Sequence, residues 1–465
     1  MTSIFAPDTK DNHQNGVIAI HICRPNGWED VRSSLTSAEQ AYAATQGFKG
    51  EAGQRVSVPA LDGTVAAVLF GAGPMEKDME GPIRAGALSA ALPEGLYRFD
   101  VLPDDWDAEL AAIGWGLGAY RFERYLKDKK TFPTLCLGED NDHAEIDALV
   151  SAVHFGRDLI NTPAGDMGPE ALDGEARKLA ARHEAKINVI KGQDLLTQNY
   201  PMIHAVGRAA HEAPRLVEIQ WGDPKDPVLA LVGKGITFDT GGLNIKSAAG
   251  ARIMKKDMGG AAHALAFADM IMSNKLPVRL HVWLAIAENA ISAGAYRPGD
   301  ILSSRAGLTV EIDNTDAEGR LVLGDALARA SEDDPDLIID FATLTGAARV
   351  ALGPTLPPFF NNRPERNSEI ETSAREQFDP LWSMPLWQPY MSMLSSPIAD
   401  MKNAGGSFAG CMTAALFLER FVNDKPWMHF DVYGWNPSAS SGHPEGGEMF
   451  VLRGLYHWLK AGGIK

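Results

Sequence analysis

Three short segments of this 465-residue chain carry carboxylates and lysines in a pattern that suits metal chemistry. No histidine or cysteine lies beside these carboxylates in the three segments. Oxygen-rich ligand sets of that kind favour hard or borderline divalent ions. Converging carboxylates repel each other unless they are protonated or a cation neutralises them. Four of them balance two divalent ions, which is the charge balance of a two-metal site. The candidates are Asp239, Asp257, Asp316 and Glu318.

Each segment also has a purely structural interpretation. The glycines of LVGKGITFDTGGLNIK (231–246) could form plain turns, and the charges of MKKDMGGAA (254–262) could be a solvated helix start. The NTDAEGR stretch of IDNTDAEGRLVLGDAL (312–327) could be an Asx turn followed by a helix cap. The occurrence of all three in one chain, at strand-to-helix junctions, favours the functional interpretation.

The elements around these segments predict how they meet. Lys234 and Asp239 follow an apolar run, so they should lie at or just past a strand end, where open α/β sheets bind ligands. Thr240, Gly241 and Gly242 allow a tight turn that returns Lys246 to the same region. Asp257 precedes a long helix pattern over 259–276, and the loop that carries Asp316 and Glu318 precedes a helix over 321–333.

Alternating strand and helix patterns predict an α/β fold in two domains. We expect a smaller N-terminal α/β domain over residues 1–140 and a linking helix over 141–165, based on a helical pattern at 146–162. The polar break EDNDHAE (139–145) sets the boundary. Residues 166–465 should form a larger catalytic domain, whose central, mostly parallel sheet is flanked by helices.

Composition excludes several function classes. The net charge of −17 argues against a general nucleic-acid binder and against docking on anionic membranes. Three scattered cysteines, with no CxxC, argue against a thiolate zinc site and favour a reducing compartment. Residues 1–16 lack a signal-peptide pattern, and no run approaches the roughly 20 apolar residues of a membrane span. We therefore expect a cytoplasmic protein.

Common catalytic motifs are also missing. The chain contains no P-loop and no HExxH. GGSFAG (405–410) resembles a nucleophile elbow, but Ala409 stands where that strained turn needs its second glycine. A serine hydrolase is therefore disfavoured.

NTDAEGR followed by LVLGDAL resembles the signature of the leucyl (cytosol) aminopeptidases. VGKGITFDTGG and MKKDMGG are similar to the other two metal-binding blocks of that family. RDLINTPAGDMGPEAL (157–172) resembles the entry into its catalytic domain, and DFATLTGA (340–347) its substrate-side strand and loop. The resemblance covers roughly residues 150 to 435.

The resemblance implies two divalent ions for each subunit, Mn²⁺ or Zn²⁺ in the first place, with Mg²⁺ and Co²⁺ as alternatives. Lys234, Asp239, Asp257 and Glu318 would hold one ion. Asp239, Asp316 (also through its backbone carbonyl) and Glu318 would hold the second. Lys246 and Arg320 would be the catalytic pair, with a bicarbonate ion near Arg320 that shuttles the proton. The residues implied for substrate binding are Met254, Thr343, Leu344 and Gly346.

The implied activity is removal of N-terminal residues from peptides with a free N-terminus, through a metal-bridged hydroxide. A free lysine is no ligand, so Lys234 would ligate as the neutral amine. Arginine stays protonated, so Arg320 is no general base. The family also implies a homohexamer built as a dimer of trimers.

The chain departs from the family pattern in HFDVYGWNPSASSGHPEGGEMFVLRGLYHWL (429–459), where the loop is longer, lacks lysine and carries aromatics. That departure leaves the leucine-type preference open. Two other functions also stay open: another two-metal amidase or dipeptidase, and a non-catalytic binding or regulatory protein on the same fold.

Overall fold

The structure is a computed structural model that describes residues 4–9, 16–60, 62–138 and 141–464. The chain forms two compact units. The first contains the residues up to His154 together with Ser438–Glu445, and the second contains Phe155–Pro437 together with the residues from Gly446 onward. Most of residues 1–16, and the first two positions of the predicted break, 139 and 140, lie outside the described residues. The boundaries at residues 140 and 166 stay predictions.

The first unit is built on a six-stranded sheet in the order β1-β6-β5-β2-β4-β3. All of its neighbouring strands run parallel except the edge pair β3–β4. The short apolar runs in this region predict buried strands, and β2 and β4 lie in the interior of the sheet. The strands are β1 (Phe5–Pro7), β2 (Ile18–Cys23), β3 (Arg55–Pro59), β4 (Val65–Gly71), β5 (Leu96–Val101) and β6 (Thr134–Leu137).

Among the described residues, five α-helices belong to the part of the chain that contains this sheet. Apolar residues at helical spacing in ELAAIGWGLGAYRFERYL (109–126) predict a longer fourth helix than the structure contains. This helix ends at Gly118, whose backbone packs so closely on Gly86 that a Cβ would lie 2.0 Å from the Gly86 carbonyl oxygen. The fifth helix continues into the second unit, and it covers most of the predicted linking segment. The helices are α1 (Trp28–Ser34), α2 (Ser37–Thr45), α3 (Gly86–Ala91), α4 (Ala108–Gly118) and α5 (His143–Asn161).

The second unit is built on an eight-stranded sheet in the order β15-β14-β17-β13-β9-β10-β8-β7. The four central strands, β17, β13, β9 and β10, run parallel, while β8 and β7 add antiparallel strands at one edge. The strands are β7 (Lys186–Lys191), β8 (Arg215–Trp221), β9 (Val228–Asp239), β10 (Arg279–Asn289), β13 (Leu337–Ala342), β14 (Pro358–Asn361), β15 (Trp382–Ser383) and β17 (Trp427–Asp431).

Two small sheets complete the strands of this unit. One joins three short strands in the order β11-β12-β16, and the other is the pair β18–β19. These strands are β11 (Ile301–Ser303), β12 (Thr309–Glu311), β16 (Met401–Lys402), β18 (Trp435–Asn436) and β19 (Gly446–Gly447).

Helices of the second unit bury their apolar residues against the large sheet. Nearly every residue of the helix after Asp257 is buried, because its side chains pack on β9, β10 and β13. The helices are α6 (Pro169–Arg182), α7 (Asp194–Thr197), α8 (Pro201–Gly207), α9 (Ala248–Ala251), α10 (Gly259–Ser273), α11 (Glu318–Glu332), α12 (Gly346–Leu352), α13 (Asn367–Glu376), α14 (Gly410–Glu419) and α15 (Leu452–Lys460).

Strand β9 extends further than the sequence pattern indicates. We expect a strand end near Gly235, but the strand continues to Asp239, so Lys234 lies inside it. Close packing explains why residue 233 of this strand is a glycine: a Cβ at this position would lie 2.7 Å from the Ala261 Cα of α10. The glycine therefore allows a helix to pack closely on the strand rather than marking a turn.

The predicted fold class is confirmed: an α/β protein with a smaller N-terminal unit and a larger unit around a mostly parallel central sheet. Among the described residues, no helix is long and apolar enough to cross a membrane.

Candidate metal centre

A polar residue ends three of the four central strands of the large sheet and directly follows the fourth. Asp239 is the last residue of β9, Asn289 of β10 and Asp431 of β17, and Thr343 directly follows β13. Because the carboxyl ends of parallel strands meet at one edge of a sheet, these side chains lie at the same edge. This is where α/β proteins bind their ligands, so the topology supports the site predicted from the sequence.

Three of the four predicted carboxylates form one cluster. Asp239, Asp316 and Glu318 each offer an oxygen, and these oxygens lie within 4.8 Å of one another. Asp316 lies in the loop before α11, and Glu318 is the first residue of that helix. An i, i+2 spacing in an extended loop predicts two side chains on the same side, and the oxygens of Asp316 and Glu318 do lie close together. The helix, however, begins at Glu318 rather than at residue 321. Asp257 enters from the 3-10 turn Met254–Met258, which leads directly into α10.

Lys234 connects Asp257 to this cluster. Its ammonium lies 2.8 Å from Asp257 Oδ2 and 3.0 Å from Glu318 Oε1, and it donates to the Thr343 carbonyl oxygen at 2.9 Å. Burial opposes the charge on Lys234, but Asp257, Glu318 and Asp239 together raise its pKa well above the usual value. Lys234 is therefore held as a cation by these ion pairs, and ligating a metal as a neutral amine requires that this proton be lost.

Lys246 forms the matching contact on the other side of the cluster. Its ammonium lies 2.7 Å from Asp239 Oδ2 and 2.5 Å from Asp316 Oδ1. The predicted tight turn brings it there: Gly241 and Gly242 have φ values of +86° and +60°, and the Lys246 amide donates to the Thr240 carbonyl oxygen. A Cβ at Gly241 would lie 2.4 Å from the Asn244 carbonyl oxygen, so glycine is needed here for space as well as for φ.

The carboxylates carry more negative charge than the two lysines neutralise. Burial, followed by the charge of Asp239, raises the pKa of Glu318 to about 8 and that of Asp316 to about 6. Glu318 Oε2 is buried and has no hydrogen-bond partner. An unpartnered carboxylate oxygen is costly to bury, and a cation would relieve that cost. The donor set therefore fits divalent metal ions.

Arg320 is the third residue of α11, two positions after Glu318. Its side chain is buried, and one guanidinium nitrogen donates to the Asn403 carbonyl oxygen at 2.8 Å, while its Nε has no hydrogen-bond partner. Burial lowers the pKa of Arg320 to about 10, which still leaves it protonated at neutral pH. It therefore provides a positive charge with an unused donor, as a site for a small anion requires.

Two of the four predicted substrate residues are bonded to residues of the centre. Thr343 donates its hydroxyl to the backbone oxygen of Asp257 at 3.0 Å and to Oδ1 of Asp257 at 2.9 Å. The Leu344 amide donates to Asp431 at 3.0 Å. Met254 begins the 3-10 turn of Asp257, and Gly346 begins α12 with open space where a Cβ would lie. Their role in substrate binding stays a prediction.

Four supporting residues were not predicted. Asn289 donates to Asp239 Oδ1 at 2.8 Å, and the Thr315 hydroxyl donates to the Gly241 carbonyl oxygen at 2.7 Å. The Asn403 side chain accepts hydrogen bonds from the backbone before Asp316, and Asp431 accepts from Leu344 and Thr345. Asn289 and Asp431 end apolar strand patterns, so the rule that predicted Asp239 could have identified them. Asn403 lies in a segment without a pattern.

A second group in the described residues could also hold a metal by its geometry: Glu218, His281 and Asp333. There, however, Arg329 already pairs with Asp333 at 2.7 Å, and His281 Nδ1 lies 3.1 Å from the same carboxylate. Gln220 donates to Glu218 at 2.6 Å. This group is therefore an ion-pair and hydrogen-bond network, in contrast to the unpartnered oxygen of Glu318.

Two protein-family profiles match this chain. The sequence profile of the cytosol aminopeptidase family, catalytic domain, matches residues 154–456, and that of the M17 aminopeptidase N-terminal domain matches residues 18–138. A probable cytosol aminopeptidase of Streptomyces coelicolor is 36% identical over 489 aligned positions, which cover 94% of each chain.

Solved structures agree with the sequence relatives. The crystal structure of a cytosol aminopeptidase from Coxiella burnetii superposes with a TM-score of 0.92 at 43% identity, covering 98% of this chain and 99% of that one. The bottromycin maturation enzyme BotP, solved in complex with Mn, superposes with a TM-score of 0.86 at 33% identity, covering 96% of this chain and 99% of that one. This chain therefore belongs to the cytosol aminopeptidase family, whose members are metal-dependent aminopeptidases.

Proposed function

We propose that the chain removes N-terminal residues from peptides with a free N-terminus by using two divalent cations. Glu318 carries this proposal, because one of its oxygens pairs with Lys234 while the other is buried without a partner. Lys234, Asp239, Asp257 and Glu318 would hold one cation, and Asp239, Asp316 and Glu318 the other. The Mn-bound relative BotP supports Mn²⁺ as one choice of metal, and Zn²⁺ is the other.

When bound, the two cations would supply a hydroxide nucleophile at neutral pH and a ligand site for the substrate's free α-amine. The side chains of the protein would stabilise the developing negative charge and hold the anion. The Lys246 ammonium, released from the Asp239 and Asp316 oxygens that ligate metal, would donate to the carbonyl oxygen as negative charge develops on it. The distances of 2.7 and 2.5 Å put this ammonium within reach of the cluster.

Arg320 would hold a bicarbonate ion beside the centre. Its guanidinium is protonated, buried and anchored on the Asn403 carbonyl oxygen, which leaves donors for an anion. Thr343 would orient Asp257 through its hydroxyl, and Met254, Leu344 and Gly346 would border the first substrate residue.

Three further features follow from family membership as proposals. We propose a leucine-type side chain as one accepted N-terminal residue, a homohexamer built as a dimer of trimers, and a cytoplasmic location. The name of these relatives, cytosol aminopeptidase, supports the location.

One assay tests the activity directly. The metal-stripped enzyme is supplied with Mn²⁺ or Zn²⁺ and given leucine amide beside N-acetyl-leucine amide. We expect hydrolysis of the free amide only, because acetylation removes the amine that anchors the substrate. Hydrolysis of the acetylated compound would contradict an exopeptidase and favour an amidase. Asp257→Ala is the matched variant that should lose activity with either metal.

A further inference from the structure

A third lysine, Lys256, is buried next to the metal centre and has no carboxylate partner among the described residues. Lys234 and Lys246 each pair with two carboxylates, but within the described ranges no carboxylate oxygen lies within 4.0 Å of the Lys256 ammonium. Lys256 is only 6% exposed. Burying an ammonium without a counter-charge is costly.

The neighbouring carboxylates are already bonded to other donors. Asp257 pairs with Lys234 and accepts from Thr343, and Asp431 accepts from the amides of Leu344 and Thr345 and from the Thr345 hydroxyl. Both attract Lys256 through their charge, but neither comes within ion-pair distance of it. The Lys256 ammonium therefore has no carboxylate of the described residues bound to it and can accept one from a ligand.

Lys256 and a second cation share one aromatic ring. The Lys256 ammonium lies 5.0 Å from the centre of the Tyr433 ring, and the Arg349 guanidinium lies at the same distance and donates to the Tyr433 hydroxyl at 3.2 Å. Arg349 also has no ion pair in the part of the chain that the structure describes. Cation–π contacts stabilise a positive charge only modestly, so the ring does not replace a carboxylate.

Lys256 and Tyr433 lie next in sequence to residues that contact Thr343, one of the predicted substrate residues. Tyr433 precedes Gly434, where a Cβ would lie 3.0 Å from Thr343 Cγ2. Thr343 in turn bonds to Asp257, the residue after Lys256. The residues next to Lys256 and Tyr433, Asp257 and Gly434, thus both lie against Thr343, which is one of the four residues predicted to bind substrate.

We propose that Lys256, with Tyr433 and Arg349 beside it, binds the side-chain carboxylate of an acidic N-terminal residue. The preferred substrates are then peptides that begin with glutamate or aspartate, and leucine-type residues are accepted less well. This inference rests on the proposed aminopeptidase function and concerns the same site. A carboxylate would supply the counter-charge that Lys256 lacks, and its hydrogen bond to a charged donor would be of the stronger kind.

The α-amides of glutamate and glutamine separate the effect of charge from that of size, because the two side chains have nearly the same shape and only that of glutamate is charged. Below, glutamate amide and glutamine amide mean these α-amides. We expect the Mn²⁺-loaded wild-type enzyme to have a kcat/KM for glutamate amide about ten-fold or more above that for glutamine amide. In Lys256→Met this ratio should fall to about one, and in Lys256→Arg it should be largely kept. Lys255→Met is the matched control: Lys255 donates to the Asn161 carbonyl oxygen, and its loss should leave the ratio unchanged.

A second measurement needs no variant. Free glutamate should inhibit leucine amide hydrolysis by the wild-type enzyme at about ten-fold lower concentration than free glutamine. A wild-type enzyme that hydrolyses leucine and glutamine amides but prefers neither glutamate nor aspartate would overturn this inference and leave the proposed function standing. A ratio that Lys256→Met does not change would also overturn it. If no aminoacyl amide is hydrolysed with metal added, the proposed function fails and the inference with it.

Discussion

Lys234 Nζ lies 3.0 Å from Glu318 Oε1, while the other carboxylate oxygen of Glu318 is buried without a hydrogen-bond partner. One side chain thus has one neutralised oxygen and one that still needs a positive charge. Of the described atoms of the metal centre, Glu318 Oε2 most directly indicates where a cation would bind. The other carboxylates of the cluster already contact Lys234 or Lys246.

The first prediction concerns metal content. Glu318→Gln should reduce the bound metal from two ions per chain to one or none, because Glu318 is proposed to contact both ions. Elemental analysis after dialysis against Mn²⁺ and gel filtration measures this. His281→Ala, in the second carboxylate group, is the control and should retain the wild-type content. A Glu318→Gln protein with two tightly bound ions would contradict the assignment.

The second prediction concerns Lys246. Replacing it by methionine should lower kcat for leucine amide by about a hundred-fold to a thousand-fold, since one preformed donor to a developing oxyanion contributes about that much. The KM should change much less, because the contact strengthens only in the transition state. Steady-state kinetics with the Mn²⁺-loaded protein separates the two. A raised KM with an unchanged kcat would show that Lys246 only binds the ground-state substrate.

The third prediction concerns Arg320 and bicarbonate. In buffer depleted of carbon dioxide, the wild-type kcat should rise when bicarbonate is added, because we propose that this anion binds beside the Arg320 guanidinium. Arg320→Ala should have a kcat lower by about ten-fold or more and show no such rise. Full activity of Arg320→Ala at every bicarbonate concentration would remove Arg320 from the mechanism.

The fourth prediction is a pH dependence of stability that arises at His263. This buried ring donates from Nδ1 to the Gly259 carbonyl oxygen, and its Nε2 accepts from the Phe450 amide, so the ring must be neutral. Burial lowers the pKa of His263 to about 4. The unfolded chain therefore binds a proton that the folded chain does not, and stability falls as the pH drops from about 6.5 to about 4, by about 3 kcal/mol in full.

His263→Gln tests this contribution, since the amide can both donate and accept but does not titrate. We expect the melting temperature of the metal-free wild-type protein to fall more between pH 7 and pH 5 than that of His263→Gln. Comparing the two proteins cancels the many groups that titrate in both. Equal declines would show that His263 is not the source.

The sequence predicted those parts of the site that lie in short continuous segments. Asp239, Lys246, Asp316 and Glu318 follow from local patterns, because a strand end, a glycine turn and an i, i+2 spacing each fix a direction. The same local rules failed at Lys234, which lies inside β9 rather than past its end. A glycine that permits close helix packing looks the same in sequence as one that forms a turn.

Contacts between distant segments could not be predicted from one sequence. Asn403 lies 83 positions after Arg320, and Asp431 lies 87 positions after Leu344, yet each pair is hydrogen-bonded. Only the order of strands in the large sheet brings Asp431 next to the Thr343 segment. The hydrophobic periodicity of a single segment does not predict that order. Lys256 was visible in the MKKD stretch, but its lack of a carboxylate partner became evident only from the structure.

The central claim is that two cations on these carboxylates produce the activity. The most direct test titrates the metal-stripped enzyme with Mn²⁺ while bound metal and leucine amide hydrolysis are measured on the same samples. We predict no hydrolysis without metal, a rise that saturates at two ions per chain, and no recovery in Asp257→Ala. Full hydrolysis by the metal-stripped enzyme, or recovery of activity in Asp257→Ala, would contradict the claim.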